Sequence, residues 1–324
     1  MPVMQRSRRR IGVHLALGHG MVRAADRARE IGATALQVFA DNPTAWRRRA
    51  EPHRELPAFR ERLGAHDLRP IAIHGSYLVN LAAPDAESRD RSIDLVISEL
   101  RAAPGYGAAI VNIHAGSHRE AGEAAGVEAL ADGVARALAE VDSGPGAARL
   151  VVENSAGGGW TIGVSIEDLA RIADAVARRG VPAERFGFCL DTAHLWGGGH
   201  PIDNPEGVDA LFTEVERLLG PDAVALVHLN DSKAELGSRS DRHEHLGAGR
   251  IGPAGLGHLL RHPVVAGLPV ILETPGMDEG WDGVNMARAL DLLADRPLEP
   301  LPEHAFTVRG SRARASGPPE EETG

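Results

Sequence analysis

Eight short apolar runs, each bounded by turn residues, recur along the chain at a spacing of roughly 40 residues, about one strand–helix unit apiece. They read "IGVHLA" (11–16), "ALQVFA" (35–40), "PIAIHGS" (70–76), "AIVNIHAG" (109–116), "RLVVENSA" (149–156), "FGFCLDTAH" (186–194), "VALVHLND" (224–231) and "PVILETP" (269–275). Between them lie segments with apolar residues at helical spacing, most ending in glycine, such as "MVRAADRAREIG", "VEALADGVARALAEV", "SIEDLARIADAVARRG" and "GVDALFTEVERLLG". Such alternation admits a closed barrel or a doubly wound open sheet. No Gly-x-Gly-x-x-Gly turn follows an early strand, so the expectation is a single (β/α)8 TIM barrel over residues 11–297. Residues 1–10, "MPVMQRSRRR", then form a basic N-terminal extension. The Pro/Gly/charge-rich stretch 298–324 reads as a tail, expected to be mostly disordered, that is, beyond about residue 308.

With 43% hydrophobic and 25% charged residues the composition is that of an ordinary globular protein. No apolar run approaches the roughly 20 residues that span a bilayer, and His14 interrupts the only apolar candidate for a leader. The single cysteine, Cys189, rules out an intrachain disulfide and makes a reducing cytoplasm the expected compartment. The formal charge of −10 argues against a generally basic surface for nucleic acid. Positive charge for such a partner must be local, or come from outside the sequence.

Strand after strand finishes on a metal-type ligand: His74, His114, Glu153, Asp191 with His194 three residues on, His228 and Glu273. In a barrel the C-terminal strand ends converge on one mouth, where active sites sit. Asp241 and His243, from "GSRSDRHEHLGAGRIG" (237–252), join them through the loop after the seventh strand. Any one of these residues alone is better read as a hydrogen-bonded strand-end side chain. Together, four carboxylates buried without cations would cost more than a domain's net stability. Nine ligands at three or four per ion suit about three divalent ions, with one bridging carboxylate. That many cations would turn the pocket positive and suit it to a phosphodiester. Mixed His/carboxylate ligation without thiolate points to zinc or manganese rather than calcium or magnesium.

His14 and His19 follow the first strand as outer-layer or mouth residues. His118 and His245 are out of phase with the ligands and are expected in the outer layer or in solvent. Cys189 reads as a small packed side chain.

The segments "HGSYLVNLAAP" (74–84), "NIHAGSH" (112–118), "VVENSAGGG" (151–159), "LDTAHLWGGG" (190–199), "HLNDSKAELGSRSDRHEHLGAG" (228–249) and "ILET" (271–274), in this order, resemble the endonuclease IV family of DNA-repair enzymes. The resemblance covers about 11–290. It implies three Zn²⁺ in the barrel mouth, with Mn²⁺ admitted at one site. His74, His114 and Glu153 match the ligands of one ion. Glu153, Asp191, His228 and Glu273 match those of a second, and His194, Asp241 and His243 those of the third. The implied reaction is hydrolysis of the phosphodiester 5′ to an abasic site in duplex DNA, within base excision repair. Its products are a 3′-hydroxyl and a 5′-deoxyribose phosphate. Glu153 and Glu273 are the implied catalytic carboxylates, and Tyr77 and Leu78 match positions that enter the duplex. No membrane and no obligate protein partner is implied. At Asp41 and Thr44 the chain departs from the family, which carries basic residues there; Arg47, Arg48 and Arg49 follow. The competing readings are a sugar isomerase or epimerase on a xylose-isomerase-like barrel, and a divergent paralogue acting on another phosphoester.

Overall fold

The computed structural model describes residues 9–308; the basic extension through residue 8 and the tail from 309 lie outside the described residues. The chain runs β1 (Arg10–His14), α1 (Met21–Glu30), β2 (Ala35–Val38), α2 (Leu56–Ala65), β3 (Ile71–His74), α3 (Ala86–Tyr106), β4 (Ala108–His114), α4 (Glu123–Ala139) and β5 (Arg149–Glu153). It continues through α5 (Ile166–Ala177), β6 (Phe186–Asp191), α6 (Thr192–Gly197), α7 (Pro205–Leu218), β7 (Val224–His228), β8 (Asp231–Ser232) and β9 (His243–Glu244). Last come α8 (Gly252–Arg261), β10 (Pro269–Leu272) and α9 (Trp281–Leu293). Strands β1 to β7 and β10 close a parallel barrel in chain order, β10 pairing with β1. All eight runs read from the sequence are its staves. The antiparallel pair β8–β9 stands outside it.

Two core layers follow from the period-2 alternation of a strand. Side chains facing outward, such as Val13, Leu36, Ile73, Val111, Val152, Leu190 and Val227, pack under the helices in one continuous core. Those facing inward form a separate apolar ring: Ala35, Ala72, Ile110, Val151, Cys189, Leu226 and Ile271. Both faces are buried, so each strand reads as a near-continuous apolar run. Gly12 supplies the ring's eighth position. A Cβ there would lie 2.0 Å from the carbonyl oxygen of Ala35, its partner across β1 and β2.

Local signals set the helices. Asp85 caps α3 by accepting from Ser88 N, and the helix ends at left-handed Gly107. Ser165 and Asp168 form a reciprocal capping box on α5, and Asn204 caps α7 ahead of Pro205. Among the described residues, no helix is long and apolar enough to cross a membrane. Residues 298–308, assigned from sequence to the tail, are packed: Leu298 sits against the core, and Glu303–Thr307 makes a 3₁₀ turn that buries Ala305. The ordered unit thus continues past residue 297.

Because the Gly12 contact is with backbone, neighbours cannot yield cheaply. Gly12→Ala is expected to lower stability by about 3 kcal/mol or more, read as a reduced midpoint of thermal unfolding. An unchanged midpoint would contradict the close approach.

Candidate metal centre

One strand period beyond the apolar ring, the same inward-facing rows turn polar. Two residues after Gly12, Ala35, Ala72, Ile110, Val151, Cys189, Leu226 and Ile271 come His14, Gln37, His74, Asn112, Glu153, Asp191, His228 and Glu273. His114 extends the β4 row by one further period. Of these, His14, His74, His114, Glu153 and Glu273 line a cavity of about 340 Å³ at the C-terminal mouth, together with Phe39, Tyr77, His194, Asp241 and His243.

Loop geometry brings in the last three ligand candidates. Asp191 ends β6 and caps α6, its Oδ1 accepting from His194 N at 2.9 Å, so one short helical turn sets His194 beside Asp191. Strand β9 carries His243 back to the mouth by pairing with β8. Buried Asp231 accepts from the backbone N–H groups of Ser232 (2.8 Å), Gly249 (3.0 Å) and Ile251 (3.0 Å), fixing the returning loop.

Most of the imidazoles are held at one nitrogen and left open at the other. His74 Nδ1 donates to Gly75 O at 2.8 Å, His194 Nδ1 to Asn154 O at 2.9 Å and His243 Nδ1 to Glu273 O at 2.8 Å. His228 does the reverse, donating through Nε2 to Gln37 Oε1 at 3.0 Å. The carboxylates are oriented likewise. Asn112 donates to Glu153 Oε2 at 2.6 Å, Asn230 to Asp191 Oδ2 at 2.6 Å and Gln37 to Glu273 Oε1 at 2.6 Å; His14 Nδ1 lies 3.0 Å from that last oxygen. Metal ligands are commonly held in this way, by an outer layer that fixes tautomer and orientation.

The open nitrogens face oxygens. His228 Nδ1 lies 3.3 Å from Glu153 Oε1, 3.2 Å from Glu273 Oε2 and 3.9 Å from Asp191 Oδ2. His243 Nε2 is 3.0 Å from Asp241 Oδ1 and 3.7 Å from Asp191 Oδ2, and His194 Nε2 is 3.2 Å from Asp241 Oδ2. Yet His228 Nδ1 and His243 Nε2 are buried and make no hydrogen bond. Lone pairs and carboxylate oxygens converging without hydrogen-bond geometry fit a shared cation. Three groups of imidazole and carboxylate alone bring their ligand atoms within 4.8 Å of one another: His74, His114 and Glu153; Glu153, Asp191, His228 and Glu273; and Asp191, His194 and His243; a fourth adds Cys189 to Glu153 and His228. Asp241, with an exposed side chain, approaches the third group from the solvent side. Cys189 lies near Glu153 and His228, but burial pushes its thiol up to about 12, which keeps it neutral in the apolar ring.

Electrostatics point the same way. Burial opposes charge throughout and prevails at His14 and His114, whose imidazoles are pushed below their ordinary range, whereas at the other imidazoles their charged neighbours outweigh it. His194 and His228 are held well above the usual imidazole range, and His243 is raised to about 10 chiefly by Asp241 and Asp191. Glu153 and Glu273 sit well below the usual carboxylate range, against burial, because His228 and its neighbours face them. At His194, His228 and His243 the pocket thus favours positive charge, which divalent cations would supply in place of protons.

Eight of the nine ligand positions read from the sequence therefore fall inside the three groups, with Asp241 at their edge. Tyr77 stands on the rim, 60% exposed, its ring 5.2 Å from that of Phe39 and 6.0 Å from that of His74. Leu78 is half-buried against the core. Gln37, Asn112, Asn154 and Asn230 escape the sequence reading, although their in-phase or adjacent positions carry the signal. His118 is buried beneath Trp160. His245 is buried away from the mouth, with Nε2 2.8 Å from Ala305 O.

A family model described as xylose isomerase-like TIM barrel matches residues 25–296. A protein of Methanoculleus marisnigri named probable endonuclease 4 is 37% identical over 282 residues, covering 87% of this chain and 98% of the relative. The chain belongs to the endonuclease IV family. A family member from Chloroflexus aurantiacus is also 37% identical, over 88% of this chain and 98% of its own length. The crystal structure of endonuclease IV from Thermus thermophilus superposes with a TM-score of 0.75 at 34% identity, covering 88% of this chain and 99% of that one. A D-tagatose 3-epimerase-like protein superposes with a TM-score of 0.64 at 13% identity, a likeness of fold alone.

Glu153 belongs to two of the ligand groups. Glu153→Ala is expected to leave the isolated protein short of at least two metal equivalents relative to wild type, by elemental analysis. Undiminished metal content would remove Glu153 from the bridging position.

Proposed function

We propose that the chain is a zinc-dependent apurinic/apyrimidinic endonuclease that hydrolyses the phosphodiester 5′ to an abasic site in duplex DNA, leaving a 3′-hydroxyl and a 5′-deoxyribose phosphate. Membership of a family whose relatives are named endonuclease 4 supports the reaction class. The observation that carries the reading is the convergence of His194, Asp241 and His243 beside the other two ligand groups. A mouth with that third group holds enough ligands for three ions. The sugar isomerase or epimerase reading rests on fold alone, which does not decide function.

His74, His114 and Glu153 would hold one zinc; Glu153, Asp191, His228 and Glu273 a second; and His194, Asp241 and His243 a third, with manganese admitted at one position. When bound, such ions supply Lewis acidity that makes water nucleophilic near neutral pH and neutralises charge developing on the phosphoryl group. The protein's own groups supply position. Asn112 and Gln37 hold Glu153 and Glu273 each by one oxygen, leaving Oε1 of the first and Oε2 of the second turned to His228. Glu273 orients the attacking water and takes up its proton as the water oxygen bonds to phosphorus, while the bond from phosphorus to the 3′ oxygen breaks and that oxygen takes a proton from solvent to become the 3′-hydroxyl. The apolar ring under the polar row closes the floor of the pocket to bulk solvent.

Tyr77 and Leu78 are the assigned duplex contacts. The tyrosine is presented on the rim; the half-buried leucine packs behind it and braces the turn. That turn is tied to the neighbouring loop, Tyr77 N donating to Pro43 O at 3.1 Å and Ser76 Oγ to the same oxygen at 2.6 Å. In that loop Asp41 accepts from Arg49 N at 2.6 Å, and the Thr44 hydroxyl donates to Asn42 Oδ1 at 2.9 Å. Both departures from the family's basic residues therefore brace the loop itself.

The test is incision of a duplex oligonucleotide carrying one abasic-site analogue, beside an undamaged control. Cutting only on the 5′ side of the lesion, lost on zinc chelation and restored by zinc, is expected. An intact lesion strand with metal-loaded protein would overturn the reading. In the same assay Tyr77→Ala is expected to raise KM by about tenfold with zinc content unchanged; an unaltered KM would remove Tyr77 from the interface.

A further inference from the structure

The rim of the mouth carries a feature that the ligand cluster does not use. Trp160, on the loop after β5, is 54% exposed yet firmly held. Its carbonyl accepts from His118 N at 3.0 Å, Ser117 bridges to Thr161, and the His118 ring stands edge-on to the indole at 5.7 Å. Two arginines adjoin the residues that hold it. Arg119 directly follows His118. Arg239 packs its backbone and side chain along Gly157 and Gly158, fixed by a 3.0 Å bond from its N–H to Gly197 O.

Both arginines have left-handed backbone, φ 50° at Arg119 and 57° at Arg239, which a residue with a Cβ adopts only at a cost. The other two such residues among those described, Asp67 and Asp295, follow the ends of α2 and α9, where a left-handed residue is routine. No helix end explains Arg119 or Arg239. Both are exposed, and no ion pair holds either guanidinium among the described residues. Arg239 is two residues from Asp241, at the edge of the ligand cluster. In a chain of net charge −10, two exposed guanidinium groups on the loops around a rigid indole are a local source of positive charge, with Asp85 the acidic group that Arg119 acts on.

We propose that Arg119, Trp160 and Arg239 form a second contact surface for duplex DNA, on the β4, β5 and β7 side of the mouth. The two guanidinium groups take phosphates of the strand flanking the lesion, and the indole lies against the deoxyribose between them. This rests on the abasic-DNA reading of the cluster and adds the residues that hold the duplex beside it.

The experiment is steady-state incision of the abasic duplex by the zinc-loaded full chain over a series of salt concentrations. The variants are Arg119→Gly, Arg239→Gly, Trp160→Ala and Trp160→Phe; glycine keeps the left-handed turns free of strain. Each arginine variant is expected to raise KM several-fold and to flatten the log–log salt dependence by about 0.9 per lost phosphate contact. Trp160→Ala is expected to raise KM by about fivefold with the salt slope retained, and Trp160→Phe to recover most of it. In all four, kcat and zinc content stay at wild-type values. Wild-type KM and salt slope in all variants would overturn the proposal, as would losses that track zinc content. If the wild-type chain leaves the abasic duplex intact, the underlying reading fails first and this surface falls with it.

Discussion

Like charge drawn together is the constraint on which this structure turns. Glu153 and Asp191 end two strands of one barrel, Glu273 directly follows a third, and Asp241 reaches the same mouth from a loop. Repulsion and desolvation would drive such a group apart unless positive charge lay among its members. The surrounding imidazoles are placed to answer that demand. His194, His228 and His243 are each held by one nitrogen and turned by the other toward carboxylate oxygens. Their proton affinity is raised by the same carboxylates that cations would face.

The barrel makes this concentration of charge tolerable. Each inward row carries an apolar residue first and a polar one two positions later, so a closed apolar ring lies directly beneath the polar one. Gly12 lets β1 and β2 approach within that ring. Strand period and barrel closure thus bring together residues nearly 200 positions apart, as at Gln37 and His228. The outer helices, capped by Asp85, Ser165 and Asn204, hold the staves without touching the chemistry.

Much of this was legible in the sequence because the strand period and the ligand types coincide at the C-terminal ends of the runs. The eight strands and the convergence of His74, His114, Glu153, Asp191, His194, His228, His243 and Glu273 follow from that coincidence. Gln37, Asn112 and Asn230 are harder to see. An amide has no chemical signature of ligation, and its role as an orienting donor emerges only when strands distant in sequence become neighbours. The hairpin of β8 and β9 spans two residues a side, too short for periodicity to register. The packing of residues 298–308 is faint in a Pro-rich composition whose apolar side chains, such as Leu298, Ala305 and Val308, find partners only in the folded barrel. Tertiary context, rather than propensity, decides each of these.

The central claim is that one mouth holds three cations through nine side chains. Anomalous diffraction from crystals of the zinc-loaded protein, collected on either side of the zinc absorption edge, tests it most directly. The account predicts three peaks: one among His74, His114 and Glu153, one among Glu153, Asp191, His228 and Glu273, and one beside His194, Asp241 and His243. A single peak, or a third set free of metal at saturating zinc, would contradict it.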